Sequence, residues 1–437
     1  MINFIYGRAG SGKTSRICKL AAESLAAGSK VFLIVPEQMA VDAEARMTAL
    51  LGNAPSLSLE ILNFRRLCNR VFREHGGLSY NYVTKSGRML MMWQTLSELQ
   101  PLMKTDTAAE RGSVMRMLSA VSEFKAYGIT PSALERAAKR LESNDVSKKL
   151  SYKIYDLSLI YASYVNLVSE TCDDAADDLT KAAEILRQSH IFKGVQVYFD
   201  SFNGYTPQEL AVMREIFRSA ENVTVSVCLD GPPDDSSCEL FENQRKTAKD
   251  LKRMADDLGC EISETALKNN RRAASEELRF LEASLWSLDL TADDGWKEQA
   301  PSIRLIECQS LFAECEAVAA DILKRVREGA KWRDFTVVAR GLERYDGILD
   351  VTLEKYGIPH FASKRIDIKT RPIIKLILAA LSLEISNFRT ADVISYIKTG
   401  LCGITPDEVS EIENYAEMWR IRGASRWSSE WEMNPAG

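Results

Sequence analysis

The chain is poor in the residues from which metal sites and disulfide frameworks are built. It has three histidines, and its nine cysteines (Cys18, Cys68, Cys172, Cys228, Cys238, Cys260, Cys308, Cys315 and Cys402) form no Cys-x-x-Cys pair. That spacing argues against a zinc site or a disulfide scaffold and points to reduced thiols, so a cytoplasmic location is expected. No apolar run approaches the roughly 20 residues a membrane helix needs, and no membrane partner is expected. The first residues read as a core strand, not as a signal peptide. The net charge of −5 leaves no global basic footprint, so any nucleic-acid contact must rest on local patches. Internal repeats and low-complexity segments are missing as well. A chain of 437 residues has room for about two to four domains.

What the chain does contain appears at once. Gly7, Arg8, Ala9, Gly10, Ser11, Gly12, Lys13 and Thr14 complete a G-x-x-x-x-G-K-T phosphate-binding loop. A short apolar run, Ile2 to Tyr6, precedes it, and Ile17, Leu20, Ala21 and Leu25 follow at helical spacing up to Gly28. Strand, glycine loop and helix are the context this motif needs. The glycines let successive backbone N–H groups converge on phosphate oxygens, and the helix N-terminus adds partial positive charge. In this pattern Lys13 reaches the β- and γ-phosphates and the Thr14 hydroxyl ligates Mg²⁺, so ATP and Mg²⁺ are the expected cofactors.

The remaining pattern is split. A first α/β block runs over residues 1–75, with strands at Val31–Val35 and Leu57–Leu62 and a helix after Asn63. From about 85 to 190 the periodicity is helical, and strand-like runs return at Val195–Phe199 and Val223–Val227. An all-helical insertion within a parallel-sheet lobe is the simplest account. A second α/β block is expected beyond the polar stretch Thr291–Ala300, with strands at Ile303–Ile306 and Phe335–Arg340 around a helix, Glu314–Glu328. The pattern is helical again from Pro372. Trp419, Trp427 and Trp431 crowd the final residues, which suggests a chain cut from something longer.

A P-loop motor needs an acid at the end of a neighbouring strand to hold Mg²⁺ through water, and usually an adjacent Glu to polarise the attacking water. Asp200 follows the run Val195–Phe199 and fits the first role, or else caps a turn. Its neighbour is Ser201, which cannot act as a base at neutral pH without a base of its own. Glu209 is a weak candidate for that duty. The strand ending Cys228-Leu229-Asp230-Gly231 carries no Gln to sense a γ-phosphate. Binding reads as intact and hydrolysis as impaired.

An ordered set of motifs now makes a resemblance specific: Gly7–Thr14, Val35-Pro36-Glu37-Gln38, Asn63-Phe64-Arg65-Arg66-Leu67, Glu123–Pro131, Phe199–Phe202 with Thr206-Pro207-Gln208, and Tyr356-Gly357-Ile358-Pro359. Together they resemble the N-terminal part of the AddB family, the second component of bacterial AddAB helicase–nucleases and a relative of superfamily 1 helicases. The resemblance implies an α/β P-loop NTPase with RecA-like parallel-sheet lobes and all-helical insertions. Residues 1–75 and 190–300 would form the first lobe (1A), and 76–189 a 1B-like insertion. Residues 301–385 would begin the second lobe (2A), and 386–437 a 2B-like insertion.

The resemblance further implies an AddA-type helicase/nuclease partner in a heterodimer, contact with single- and double-stranded DNA, and a role in double-strand break repair by recombination. Asn63, Phe64, Arg65 and Arg66 would face single-stranded DNA, Phe64 stacking on a base and an arginine meeting a phosphate. The other reading of Phe64 is a core residue at a helix start, with solvated arginines. Arg340 resembles the arginine that reaches across the cleft to a γ-phosphate, or is an ordinary strand-end arginine. Only six residues precede Gly7, which leaves no room for the upstream Gln that reads adenine in related helicases. AddB proteins resemble a motor that has lost its duty and helps recognise the Chi signal. Their C-terminal nuclease domain and iron–sulfur cysteines are expected only in the full-length family member, so this chain should be neither nuclease nor competent helicase. The alternative is an active DNA-stimulated ATPase and translocase. A small-molecule P-loop kinase would need an Arg-rich lid and no second α/β block.

Overall fold

The computed structural model describes residues 1–52, 58–77, 81–105, 110–142, 148–234, 239–285, 300–362 and 368–433. Two compact units divide the chain, Met1–Arg304 and Leu305–Gly437.

The first unit is built on a six-stranded parallel sheet. Its strands are β1 (Ile2–Gly7), β2 (Lys30–Ile34), β3 (Leu59–Leu62), β4 (Val195–Phe199), β5 (Asn222–Cys228) and β6 (Ile262–Leu267), in the order β3-β2-β4-β5-β1-β6. Largely buried runs form β1, β2, β4 and β5 because both faces are covered there, whereas the edge strand β6 is mostly exposed. Alternation assigns each residue a side: Phe4, Tyr6, Phe32 and Ile34 enter one core, while Ile5, Val31 and Leu33 enter the other. Helices α1 (Lys13–Ala26) and α2 (Ala40–Leu51) seal the second core with Ile17, Ala21, Ala43 and Met47. Helix α3 (Phe64–His75) helps seal the first with Leu67, Val71 and Phe72.

Between β3 and β4 the chain is helical: α4 (Lys85–Leu99), α5 (Arg111–Ala126), α6 (Pro131–Glu142), α7 (Lys148–Thr171) and α8 (Asp178–Leu186). Met92, Leu96, Val121, Ile160 and Tyr164 give α4, α5 and α7 a core of their own. One polar joint ties this core to the segment before α8. The buried Lys125, from the Glu123–Pro131 motif, donates to Asp174 (3.0 Å) and Asp177 (2.7 Å). Burial alone would pull the Lys125 ammonium down, but the two carboxylates outweigh it and hold it above its ordinary value. Helix α9 (Pro207–Ser219) adds Gln208, whose amide donates to Ala176 O (3.0 Å) and Thr180 Oγ1 (2.9 Å). Helices α10 (Glu242–Asp257) and α11 (Glu276–Ser284) complete the unit.

The second unit carries α12 (Leu311–Arg327), α13 (Leu349–Lys355), α14 (Pro372–Ile385), α15 (Thr390–Ile397), α16 (Pro406–Met418) and α17 (Ala424–Trp427). The strands expected at Ile303–Ile306 and Phe335–Arg340 do not form: neither segment enters a ladder among the described residues. A strand's N–H and C=O groups need a neighbouring strand, and apolar character alone supplies none. Leu305 is 99% and Val338 85% exposed. Most of the polar stretch Thr291–Ala300 (residues 291–299) lies outside the described residues, as does Cys238. The three tryptophans pack locally: Trp431 stacks on Tyr415 (5.2 Å) and meets Trp427 edge-on (5.2 Å).

Candidate nucleotide site

In open parallel sheets ligands bind beyond the carboxyl ends of the strands, where the strand order reverses. Here β1 lies between β5 and β6 while β2 lies beyond β4, so the loops after β1 and β4 flank such a point. A cavity of about 400 Å³ opens there. Ala9, Gly10, Gly12, Lys13 and Thr14 line it from the P-loop, and Asp200 to Asn203 from the loop after β4.

The P-loop's shape follows from its glycines. Gly10 and Gly12 have φ of 84° and 92°, the left-handed region where a side chain is strained. A Cβ at Gly7 would collide with Ser11 Oγ, and one at Gly10 would lie 2.8 Å from Asn270 Oδ1. Ser11 is buried, and its Oγ has no partner among the described residues. Lys13 Nζ donates to Gly7 O (2.6 Å) and Arg8 O (3.0 Å), so the lysine is folded onto its own loop. Burial lowers the Lys13 ammonium from its ordinary value and Arg272 adds to this, while Cys228 and Asp200 oppose it. Arg8 turns from the cavity toward Glu282, with carboxylate contact at 3.6 Å, and toward Asp230 at 4.0 Å.

Asp200 is 3% exposed, and its backbone N–H donates to Ile34 O (3.1 Å). Its carboxylate accepts from Ser226 Oγ (2.5 Å) and Ser201 Oγ (3.0 Å). Ser201 has φ of 66°, unusual for a non-glycine residue. Packing on both sides holds that strained turn: Phe202 and Tyr205 close on each other (4.9 Å) and on Phe64 (5.5 and 6.3 Å).

This packing corrects the base-stacking reading of Phe64. The ring is 7% exposed and belongs to the sheet core, so no base can reach its face. Asn63 is the N-cap of α3, its Oδ1 accepting from Arg66 N at 2.7 Å. Arg65 and Arg66 stay exposed, and Arg66 pairs with Glu44 at 3.1 Å. Glu209 is spent on α9: its Oε2 accepts from Thr206 N (2.7 Å) and Thr206 Oγ1 (3.1 Å) in a capping box. Its carboxylate does not line the cavity, so the geometry assigns it to capping and not to a base's position. Arg340 belongs to the second unit and is exposed, in a segment outside any ladder. No group of three or more His, Cys, Asp or Glu side chains among the described residues is arranged to hold a metal.

Four charged cavity residues escaped the sequence reading. Arg271 and Arg272 come from the loop after β6, tied to the P-loop by Arg271 N to Gly10 O at 2.8 Å. Asp42 and Arg46 come from α2. The usable signal was the basic run at the end of β6. That strand hid because its polar residues Ser263, Glu264 and Thr265 sit exposed on a sheet edge, which breaks the apolar run of a central strand.

The parallel sheet, the P-loop at a strand end and the helices around them define a P-loop fold of the superfamily 1 helicase type. The comparison with known families is specific. The chain belongs to the family described as ADDB, N-terminal, which matches residues 4–282. A UvrD-like helicase C-terminal domain matches residues 260–422. Proteins named as the B subunit of an ATP-dependent helicase/deoxyribonuclease are similar along almost all of the chain. That of Acetivibrio thermocellus is 32% identical over 99% of this chain and 38% of its own length. That of Caldanaerobacter subterraneus subsp. tengcongensis is 31% identical over 99% of the chain and 37% of its own length. That of Clostridium acetobutylicum is 29% identical over 100% of the chain and 38% of its own length. The chain thus spans little more than a third of these relatives.

Proposed function

We propose that this chain is the helicase-like part of the B subunit of an ATP-dependent helicase/deoxyribonuclease, and that it binds Mg·ATP and single-stranded DNA without working as a motor. The observation that carries this is the meeting of Lys13, Thr14 and Asp200 in one cavity. The glycine cradle, which added Cβ atoms would fill, fits a phosphate chain. Lys13 would leave its loop carbonyls for the β- and γ-phosphates, and Thr14 and Asp200 would hold the Mg²⁺. Bound Mg²⁺ supplies charge neutralisation between the β- and γ-phosphates. Ser201 beside Asp200, and Glu209 engaged in a cap, support weak or no hydrolysis. The exposed Arg65 and Arg66 support a phosphate-contacting surface for single-stranded DNA.

On this reading residues 1–75 and 190–300 would act as lobe 1A, 76–189 as a 1B-like insertion, 301–385 as the start of lobe 2A, and 386–437 as a 2B-like start. The complex would pair it with an AddA-type helicase/nuclease in the cytoplasm, where it would help read Chi during double-strand break repair. No helix among the described residues is long and apolar enough to cross a membrane. The nuclease domain and iron–sulfur cluster would belong to the full-length protein.

The test is nucleotide titration and turnover by this chain and by Lys13→Ala, with and without single-stranded DNA. Mg·ATP binding that Lys13→Ala abolishes, with no DNA-stimulated hydrolysis, is expected. Robust DNA-stimulated hydrolysis would establish the active-translocase alternative, and no binding by the unmutated chain would overturn both.

A further inference from the structure

We propose that Arg46 reads the γ-phosphate, so that α2 distinguishes a nucleoside triphosphate from a diphosphate. The inference rests on the nucleotide-binding reading above and names a side chain that the P-loop pattern does not include.

Sheet order carries the argument. The P-loop follows β1, and Arg271 and Arg272 approach from the β6 side of it. Asp200 ends β4, on the opposite side of β1, and α2 follows β2, one strand further out. Thr14 and Asp200 would hold a Mg²⁺ that neutralises charge on the terminal phosphates, so the side of the cavity beyond Asp200 is where the terminal phosphate would belong. Arg46 lines the cavity from that side, with Met39 and Asp42 on the same helical stripe. The Cys18 thiol, one turn beyond Thr14, senses the same juxtaposition. Burial and then Asp200 push it up, and Arg46 pulls it down.

Arg46 is also held by a surface pair. Its Nε donates to Asp42 Oδ2 at 2.8 Å, an i,i+4 pair with half-exposed side chains on both partners. Such a pair contributes little, whereas an arginine–phosphate contact is charge-assisted and often bidentate. The cavity lining carries Lys13, Arg46, Arg271 and Arg272 against Asp42 and Asp200. That excess of positive charge suits a magnesium triphosphate better than a diphosphate. Asp42 parks Arg46 until the third phosphate arrives.

The experiment compares Kd for Mg·ATP and Mg·ADP in the unmutated chain, Arg46→Gln and Asp42→Asn. Arg46→Gln should weaken Mg·ATP about tenfold and leave Mg·ADP unchanged. Asp42→Asn, which frees Arg46, should hold or tighten Mg·ATP. Arg46 is exposed, and an unchanged thermal melt of each variant confirms that the fold is intact. Equal losses for both nucleotides, or none for either, overturn the γ-phosphate assignment while leaving nucleotide binding standing. Failure of the unmutated chain to bind either nucleotide overturns the underlying reading instead.

Discussion

The two units treat β-prone sequence in opposite ways. In the first, the runs at Ile2–Gly7, Lys30–Ile34, Val195–Phe199 and Asn222–Cys228 pair in parallel and are roofed by helices on both faces. By contrast, the run at Ile303–Ile306, which straddles the boundary between the units, and the run at Phe335–Arg340 in the second remain outside any ladder among the described residues, while the helices expected in the second form. The difference teaches that a helix closes its hydrogen bonds within its own segment, whereas a strand borrows them from another. Helical pattern is therefore self-sufficient evidence, and strand pattern is conditional.

The sharpest break of that contrast uses one residue type in both units. Phe32, 0% exposed between the sheet and its helices, should cost about 3–5 kcal/mol on replacement by Ala. Phe361, 92% exposed in the second unit, should stay within about 0.5 kcal/mol. Urea unfolding of the two variants measures both, and comparable losses would show that the second unit buries Phe361 in solution.

The polar joint of the first unit comes next. Lys125→Ala leaves Asp174 buried without its main partner and should cost about 3–5 kcal/mol, at or below the Phe32 effect. Burial raises the Asp174 carboxyl, but Lys125, the Ala176 N–H and Arg88 outweigh it and hold it below its ordinary value. A depressed folded-state pKa stabilises above the unfolded value and is lost as pH falls through the folded one. The unmutated protein should therefore keep this contribution down to about pH 4, the ordinary carboxylate value. Lys125→Ala should move the acid-unfolding midpoint upward, and an unmoved midpoint would show that Asp174 is not paired as described.

The smallest effects separate the two halves of the Asn63–Arg66 motif. Asn63→Ala should cost about 1 kcal/mol through loss of the α3 cap. Arg66→Ala should change stability by less than about 0.5 kcal/mol while weakening single-stranded DNA binding. Calorimetry and a binding titration give both numbers, and unchanged DNA binding would remove Arg66 from the surface proposed.

Much was legible before any tertiary structure. The P-loop, its flanking strand and helix, the helical run between the two parts of the sheet, and Asp200 at a strand end all announce themselves, because spacing and turn chemistry are local. Phe64 was ambiguous for a physical reason: an aromatic at a helix start suits a base and a core equally, and only the arrival of Phe199, Phe202 and Tyr205 from distant sequence decides between them. Glu209 reads as a free carboxylate until the capping box at Thr206 claims it.

What the sequence by itself determined is the chemistry of the loop at residues 7–14, since eight consecutive residues carry its glycine conformations, lysine and threonine together. What only the tertiary structure decided is the company that loop keeps. Arg46 and Asp42 reach it from α2, Arg271 and Arg272 from beyond β6, and Ser226 holds Asp200 from β5. Those residues are separated by tens to hundreds of positions, and no local pattern encodes which of them meet. The order of six parallel strands does.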